Sequence, residues 1–209
     1  MCIHKDGFKF ILPAIAVTIA AYYINQTFGL ICGLITVWMI YFFRNPKRYA
    51  TQIEGAILAA AEGKIVSITT STLPSEIAFI DKPVTKISTF LNIFDVHVNA
   101  IPVTGKVIDI QYHPGQFFNA SMDKASDLNE RNSVVIEYGD GRKMAVVQIA
   151  GLIARRIRCD LKVGDTVTQG QIFGIIRFGS RVDVYFDREV TPLVVVGQKS
   201  RLIETVLLH

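Results

Sequence analysis

The chain has 209 residues, of which 50% are apolar and 19% charged, and its formal net charge is +4. This length allows one modest domain with an appendage or two small domains, and the composition excludes a disordered chain. The distribution is uneven, because residues 1–43 include 30 apolar residues and residues 1–48 carry the whole excess of +4. Residues 49–209 are neutral overall, so no nucleic-acid surface is expected. The three cysteines show no metal-ligand spacing and no disulfide framework, and we expect no metal site.

Two apolar stretches near the N-terminus predict a helical hairpin. Phe10–Ile24 and Phe28–Phe43 are joined by Asn25-Gln26-Thr27. Each is shorter than the roughly 20 residues of a full span, so the hairpin either crosses a membrane or dips into one leaflet. A signal peptide is disfavoured, because the second stretch follows at once and no small-residue cleavage site is present. A buried helical hairpin of a soluble protein is the alternative.

Basic residues flank this hairpin on both sides and orient it. The positive-inside rule places both ends in the cytoplasm. We therefore predict a membrane anchor over residues 1–48 and a globular domain over residues 49–209 on the cytoplasmic side of the inner cell membrane. Of these flanking residues, Arg44, Lys47 and Arg48 would also attract anionic membrane lipid. The flanking basic residues are Lys5, Lys9, Arg44, Lys47 and Arg48.

Short β-type runs punctuated by glycine follow from Ile53 onward and predict a mainly β (α+β) domain with a few short helices. Tyr138–Lys143 contains two glycines between two of these runs and predicts a hairpin. Helices are predicted at Met122–Arg131 and Gln148–Ile157. The clearest β-type runs are Ala56–Ala61, Lys64–Thr69, Lys106–Tyr112, Ser133–Tyr138, Met144–Ile149 and Arg181–Phe186.

One glycine-containing segment suggests the architecture of this domain. Leu161–Gln171 resembles a hairpin of lipoyl and biotinyl domains, and Ala61–Ile65 could be the matching half. This resemblance predicts a compact barrel-sandwich-like domain. No lysine stands at the turn that carries the cofactor in those domains, so a carrier function is not predicted.

His97 is the histidine with the most informative surroundings. In an alternating strand, Asp95, His97 and Asn99 would share one face. A carboxylate near an imidazole on that face could orient it for acid–base chemistry. The simpler alternative is a hydrogen-bonded structural histidine.

Gly179-Ser180 is an ordinary turn dipeptide when taken alone, but it belongs to a series of short segments in a specific order. In this order the chain closely resembles the phosphatidylserine decarboxylase family, specifically its short, archaeal-type proenzyme branch. The resemblance runs from about residue 43 to about residue 184. The segments are Phe94–Asn99, His113–Gly115, Phe117, Asn119–Ala120, Asp123–Ser126, Asn129–Asn132, Gln148–Gly151, Ala154–Ile157 and Arg177–Asp183.

The resemblance implies self-cleavage between Gly179 and Ser180 into a β chain (residues 1–179) and an α chain (residues 180–209). The two chains would stay together as a heterodimer, which could assemble into a higher oligomer. Ser180 would become a covalent pyruvoyl group, with no external cofactor. This group would form a Schiff base with the amine of phosphatidylserine, which would lose carbon dioxide and leave as phosphatidylethanolamine. His97 matches the family histidine of decarboxylation, and Asp95 would orient or tune it.

The chain departs from the family pattern at two positions. Glu62 stands where many members have the aspartate of Asp-Gly, and Ala100 stands where the longer branch has a second histidine. The base for self-cleavage is therefore Glu62 or His97, or cleavage follows another route. Two other functions stay open: a non-catalytic membrane-anchored barrel-sandwich module that binds lipid or protein, and a pyruvoyl enzyme for a soluble amino acid.

Overall fold

The structure is a computed structural model that describes residues 2–77, 79–118, 128–151, 156–177 and 179–209. The chain forms two compact units, Met1–Lys47 and Arg48–His209. Both α-helices of the described residues lie in the first unit, and the second unit is built mainly of β-strands. The mainly β fold class predicted from the sequence is confirmed.

The first unit is a helical hairpin, as predicted. Helix α1 spans Phe8–Ile24, helix α2 spans Gln26–Phe42, and only Asn25 lies between them. The connector is this short because the Asn25 carboxamide oxygen accepts a hydrogen bond from the Phe28 N–H (3.0 Å) and so caps α2. The ends of the unit are joined where β1 (Cys2–Ile3) pairs with β2 (Arg44–Asn45).

The two helices pack closely through small and polar residues. The Thr18 and Thr36 hydroxyls are 2.9 Å apart. A Cβ on Gly29 would lie 2.4 Å from the Cα of Tyr22, so only glycine allows this approach of the backbones. This contact is typical of helices that associate by backbone proximity.

The outward faces of these helices are apolar and exposed. Tyr23 is 86% exposed, Ile24 83% and Leu34 73%. By length and composition, the 20-residue helical stretch Lys5–Ile24 could cross a membrane, and only 17% of its apolar window is buried. This exposure disfavours the buried hairpin of a soluble protein, in which most of these side chains would be covered.

The second unit contains an eight-stranded antiparallel sheet that curls into half a barrel. Its strand order is β11-β7-β8-β9-β13-β5-β4-β14, and two smaller sheets have the orders β10-β12-β6 and β15-β3. The strands are β3 (Ile57–Leu58), β4 (Gly63–Ser71), β5 (Val84–Leu91), β6 (Val98–Ala100), β7 (Gly105–His113), β8 (Arg131–Tyr138), β9 (Arg142–Ala150), β10 (Ile157–Cys159), β11 (Thr166–Val167), β12 (Ile172–Ile176), β13 (Ser180–Phe186), β14 (Lys199–Ser200) and β15 (Val206–Leu208). A 3-10 helix spans Ser75–Ile77.

Strand β13 lies inside the large sheet and is buried on both faces. Val182, Val184 and Phe186 belong to the main core on one face, while Tyr185 packs with Val147 on the other. All seven residues of β13 are buried. The strand that begins with Ser180 is therefore fixed by hydrogen bonds to β9 and β5 and by packing above and below.

Most of the predicted strands are present, with shifted ends. The predicted hairpin is confirmed, because Tyr138 pairs with Arg142 and the glycines between them have positive φ angles of 53° and 82°. The run Ala56–Ala61 contributes only the two residues of β3. Its remaining alanines are buried in the core without joining a ladder.

One of the two predicted helices is wrong, and the other lies mostly outside the described residues, with Leu128 the one described residue of it that is helical. The prediction for Gln148–Ile157 is wrong at both ends, because Gln148 lies in β9 and Ile157 begins β10. Gln148 pairs with Asn132 of β8 and with Val182 of β13, and this tertiary pairing overrides the local preference for helix. Of Met122–Arg131, residues 122–127 lie outside the described residues, and Arg131 begins β8.

Candidate active site

The Gly179–Ser180 bond lies where the chain passes from the three-stranded sheet to the large sheet. Strand β12 ends at Ile176 and β13 begins at Ser180. Gly179 has a φ of +63°, a left-handed conformation that side-chain-bearing residues rarely adopt. A Cβ at Gly179 would meet nothing within 4 Å, so the need for glycine is conformational rather than a matter of space.

Ser180 is a buried serine at the start of a central strand. It is 0% exposed and pairs with Leu91 on β5 and Ala150 on β9. Because side chains alternate along a strand, Ser180 faces the main core together with Val182. Within the described part of the chain, its hydroxyl has no hydrogen-bond partner. An unsatisfied buried hydroxyl costs about 1–3 kcal/mol, which suggests a chemical rather than a structural role.

His97 is brought close to the segment that leads to Ser180. Its backbone carbonyl accepts a hydrogen bond from the N–H of Ile176, the last residue of β12 (3.3 Å). The imidazole is 0% exposed, and its Nδ1 lies 3.0 Å from the carbonyl oxygen of Asp95. A carbonyl oxygen can only accept, so Nδ1 is protonated and donates this hydrogen bond.

Asp95 contacts this histidine through its backbone and not through its carboxylate. The Asp95 carboxylate accepts hydrogen bonds from the Asn92 N–H (3.0 Å) and carboxamide (2.6 Å), and Lys199 lies 3.6 Å away. The expected strand over Asp95–Asn99 begins only at Val98, because the Asp95 carboxylate stabilises a turn instead. Asp95 therefore orients the ring through its carbonyl oxygen.

Glu62 lies one residue before β4 and is engaged in an ion pair. Its carboxylate pairs with Arg48, and the same guanidinium binds Glu204 at 2.9 Å. Lys64 of β4 pairs with Phe90 of β5, and the next residue of β5, Leu91, pairs with Ser180 of β13. The backbones of Glu62 and Ser180 are therefore separated by two strand spacings, or about 10 Å. Among the described residues, the contact shown for the Glu62 carboxylate is with Arg48 and not with Ser180.

Arg48 was expected to lie beside membrane lipid, but its side chain binds two carboxylates of the second unit. Its side chain is only 15% exposed, and it belongs to the second unit through two carboxylates that lie far along the chain. Its sequence position beside Lys47 suggested a basic flank, and nothing local indicates Glu204 as a partner.

A row of buried carboxamides lies near Ser180 and was not recognised in the sequence. Asn132 donates to the Gln148 Oε1 (3.1 Å), and Gln148 donates to the Asn99 Oδ1 (2.8 Å). The three side chains are no more than 5% exposed. The one available indication was Gln148, a polar residue within the apolar run Met144–Ile149.

A fully buried ion pair follows directly on Ser180. Arg181 Nε is 2.6 Å from Asp183 Oδ1, Nη2 is 3.0 Å from Oδ2, and Nη2 also donates to the Ser88 hydroxyl (2.9 Å). Both charged side chains are 0% exposed. They project from the face of β13 opposite to Ser180, since they occupy the alternate positions. This bidentate pair fixes the backbone that carries Ser180.

A second ion pair ties a loop to the neighbouring strand. Arg131 of β8 binds both carboxylate oxygens of Glu76, at 2.5 and 2.9 Å. Burial alone would raise the pKa of Glu76, but the hydrogen bond and charge of Arg131 outweigh it, and the pKa is lowered. The carboxylate thus stays charged at neutral pH and holds the loop before β5 in place.

The segment after Ser180 is anchored throughout the second unit. Residues 180–209 supply β13 inside the large sheet, β14 at its edge beside β4, and β15 paired with β3. Glu204 adds the ion pair with Arg48. A cut before Ser180 would therefore leave this segment bound by four strand pairings and a buried core.

The described residues bring three kinds of group to this part of the second unit. The Ser180 hydroxyl follows the Gly179 carbonyl, the His97 backbone carbonyl binds the end of the preceding strand, and buried carboxamides lie in β6, β8 and β9. Within the described residues, no group of three or more metal-ligating side chains is found.

Comparison with known proteins agrees with this geometry. The family model for phosphatidylserine decarboxylase matches residues 35–208. Three similar proteins are each named phosphatidylserine decarboxylase proenzyme. The protein of Ruegeria pomeroyi is 48% identical over 204 residues, covering 98% of this chain and 93% of the relative. That of Cereibacter sphaeroides is 47% identical (98% and 88% covered), and that of Rickettsia africae is 46% identical (98% and 89% covered). The chain therefore belongs to the phosphatidylserine decarboxylase family.

Proposed function

We propose that this protein is a self-processing phosphatidylserine decarboxylase of the short, archaeal-type branch. The observation that carries the proposal is the buried Ser180 hydroxyl, which follows the left-handed Gly179 at the start of a central strand. The names of the relatives favour an enzyme over a non-catalytic membrane module and do not fit a soluble amino acid as substrate. The branch assignment rests on the order of the segments from Phe94–Asn99 to Arg177–Asp183 and on Ala100, where the longer branch has a second histidine.

Self-cleavage would start with attack of the Ser180 hydroxyl oxygen on the Gly179 carbonyl carbon. A C–O bond forms, the C–N bond between the two residues breaks, and the hydroxyl proton passes through a base to the released amine. Removal of the Ser180 Cα proton then expels the Gly179 carboxylate. Water replaces the nitrogen, which leaves as ammonia, and residue 180 becomes a pyruvoyl group.

The residues around Ser180 fit such a group. Ser180 is buried, its hydroxyl makes no hydrogen bond within the described residues, and the strand that carries it is held on both sides. The pyruvoyl carbonyl supplies an electrophile for the substrate amine and an electron sink for the loss of carbon dioxide.

His97 is proposed to return the proton that replaces the lost carboxylate. Its Nδ1–H is held by the carbonyl oxygen of Asp95, which fixes the ring plane and leaves Nε2 to accept and deliver a proton. Asp95 is a positioning residue in this proposal. Its carboxylate fixes the turn through Asn92, and its carbonyl oxygen fixes the imidazole.

The base for self-cleavage is proposed to be His97 or Glu62. The contact of His97 with Ile176 supports the first, while Glu62 would have to leave Arg48 before it could accept a proton. His97→Gln and Glu62→Gln separate the two, because only the variant that lacks the base should stay uncleaved. If both are cleaved normally, neither residue is the base.

The helical hairpin is proposed to anchor the protein in the inner cell membrane with the second unit on the cytoplasmic side. The support is the apolar stretch Lys5–Ile24 and the basic residues at both ends of the hairpin. A diacyl lipid does not leave the bilayer readily, so an anchored enzyme meets its substrate at the surface. The two fragments are proposed to remain associated as a heterodimer, because β13, β14 and β15 stay paired with the larger fragment.

The proposal is tested by release of carbon dioxide from carboxyl-labelled phosphatidylserine in mixed micelles. Ser180→Ala should abolish both cleavage and decarboxylation. Ser200→Ala is a matched control, since Ser200 is also buried in the 180–209 segment but its hydroxyl donates to the Ala61 carbonyl (3.1 Å). Decarboxylation by the Ser180→Ala variant would contradict the proposed function.

A further inference from the structure

The row of buried carboxamides ends in a hydrogen-bond donor with no acceptor. Asn99 is 0% exposed, and its Nδ2 makes no hydrogen bond within the described residues. Its Oδ1, in contrast, accepts from Gln148 at 2.8 Å. A buried donor without an acceptor costs about 1–3 kcal/mol, so an oxygen brought to the Asn99 Nδ2 would be stabilised.

The orientation of these amides is fixed by a backbone carbonyl. Gln148 Nε2 lies 3.4 Å from the Arg158 carbonyl oxygen, which can only accept, so this atom of Gln148 is the nitrogen. The Asn99 atom that faces it must then be the oxygen, and the Asn99 NH₂ points elsewhere. Gly174 makes room for this arrangement, because a Cβ there would lie 3.0 Å from Gln148 Nε2.

Asn99 connects the same two sheets that the Gly179–Ser180 segment connects. Asn99 lies in β6, whose partner β12 leads into Gly179, and its side chain reaches Gln148 in β9 of the large sheet. Gln148 pairs with Val182 of β13. Val182 lies on the same face of β13 as Ser180, two residues further on, so their Cα atoms are about 7 Å apart. The unsatisfied Asn99 donor and the unsatisfied Ser180 hydroxyl thus lie in one buried seam between the sheets.

We propose that Asn99 is a catalytic residue of self-cleavage, and this inference rests on the proposed function. Its Nδ2–H donates a hydrogen bond to the Gly179 carbonyl oxygen while that oxygen becomes an oxyanion. The negative charge develops when the Ser180 oxygen bonds to the carbonyl carbon, and it disappears when the C–N bond breaks and the nitrogen takes the proton. Gln148 and Asn132 are positioning residues that present the Asn99 donor.

The first test compares the rates at which the 180–209 fragment appears in Asn99→Asp and in the wild-type protein. Aspartate keeps the oxygen that accepts from Gln148 and replaces the donor with a second acceptor. Loss of one oxyanion donor slows a reaction by about 10²–10³-fold, and we expect this slowing with little change in the melting temperature. Asn25→Asp is a control, since Asn25 caps α2 in the first unit and aspartate keeps the oxygen that accepts from the Phe28 N–H.

Hydroxylamine identifies the step that is lost. It cleaves esters, so a protein that has completed the acyl shift is cut and carries a hydroxamate on Gly179. Asn99→Asp should give the hydroxamate about 10²–10³-fold more slowly than the wild-type protein, because its ester forms more slowly. A hydroxamate in Asn99→Asp at the wild-type rate, or normal release of the fragment, would overturn the inference.

Gln148→Glu tests the positioning role. A glutamate oxygen would attract the Asn99 NH₂ and turn the donor away from the seam. The slowing should therefore be similar to that in Asn99→Asp, and the double variant should add nothing further. Additive slowing would overturn the positioning role. If the wild-type protein itself stays uncleaved, the proposed function fails; if it is cleaved and Asn99→Asp is cleaved equally fast, only this inference fails.

Discussion

Asp183→Asn should strongly destabilise the second unit. Asp183 and Arg181 are both 0% exposed, joined by contacts of 2.6 and 3.0 Å. Asparagine would leave the guanidinium charge buried without a counter-charge, and removal of one partner of a buried pair costs about 3–5 kcal/mol. A domain is stable by only about 5–15 kcal/mol, so the loss takes a large share of the folding free energy.

Asp160→Asn provides the matched control. Arg158 and Asp160 have the same Arg-x-Asp spacing and an Nε–Oδ1 distance of 2.7 Å, but their side chains are 31% and 35% exposed. An exposed pair contributes about 0.2–1 kcal/mol. Both substitutions are made in the uncleavable Ser180→Ala protein and compared by urea unfolding in mild detergent. Equal losses in the two variants would refute the assignment of the large effect to burial.

Three further predictions concern single residues. Gly179→Ala should fold but release the 180–209 fragment more slowly in an intact-mass time course, because alanine at a φ of +63° is strained by about 1–2 kcal/mol; an unchanged rate would contradict this. Because the pKa of Glu76 is lowered by folding, its charged form stabilises the fold above about pH 4.5, and this contribution is lost as the pH falls through the lowered pKa. In Glu76→Gln, the free energy of unfolding should therefore decrease less steeply as the pH is lowered. Burial raises the pKa of the Cys159 thiol, so at pH 8 iodoacetamide should modify it more slowly than the exposed Cys2; equal rates would refute this.

The sequence was most informative where the structure depends on local pattern. The apolar stretches that became α1 and α2 and the glycines of the Tyr138–Lys143 hairpin are local features, and each indicated its element. The end of β9 was mistaken for a helix, because short apolar runs have no distinctive period and only the pairing with β13 decides between helix and strand.

The contacts that shape the site could not be predicted in the same way. Arg48 and Glu204 are separated by 156 positions, and Gln148 and Asn99 by 49, so their contacts depend on the sheet topology. The contribution of Asp95 also differs in kind from the expectation, because its carbonyl oxygen and not its carboxylate contacts His97. Residue types alone do not reveal which atom of a residue makes a contact.

The intact mass of the purified wild-type protein tests cleavage at Gly179–Ser180 most directly. Two species are predicted, residues 1–179 and a fragment of residues 180–209 whose first residue is a pyruvoyl group and has no free amine. Ser180→Ala should give one unbroken chain under the same conditions. A wild-type protein that remains a single chain of 209 residues, while folded and in detergent, would contradict self-processing and with it the proposed activity.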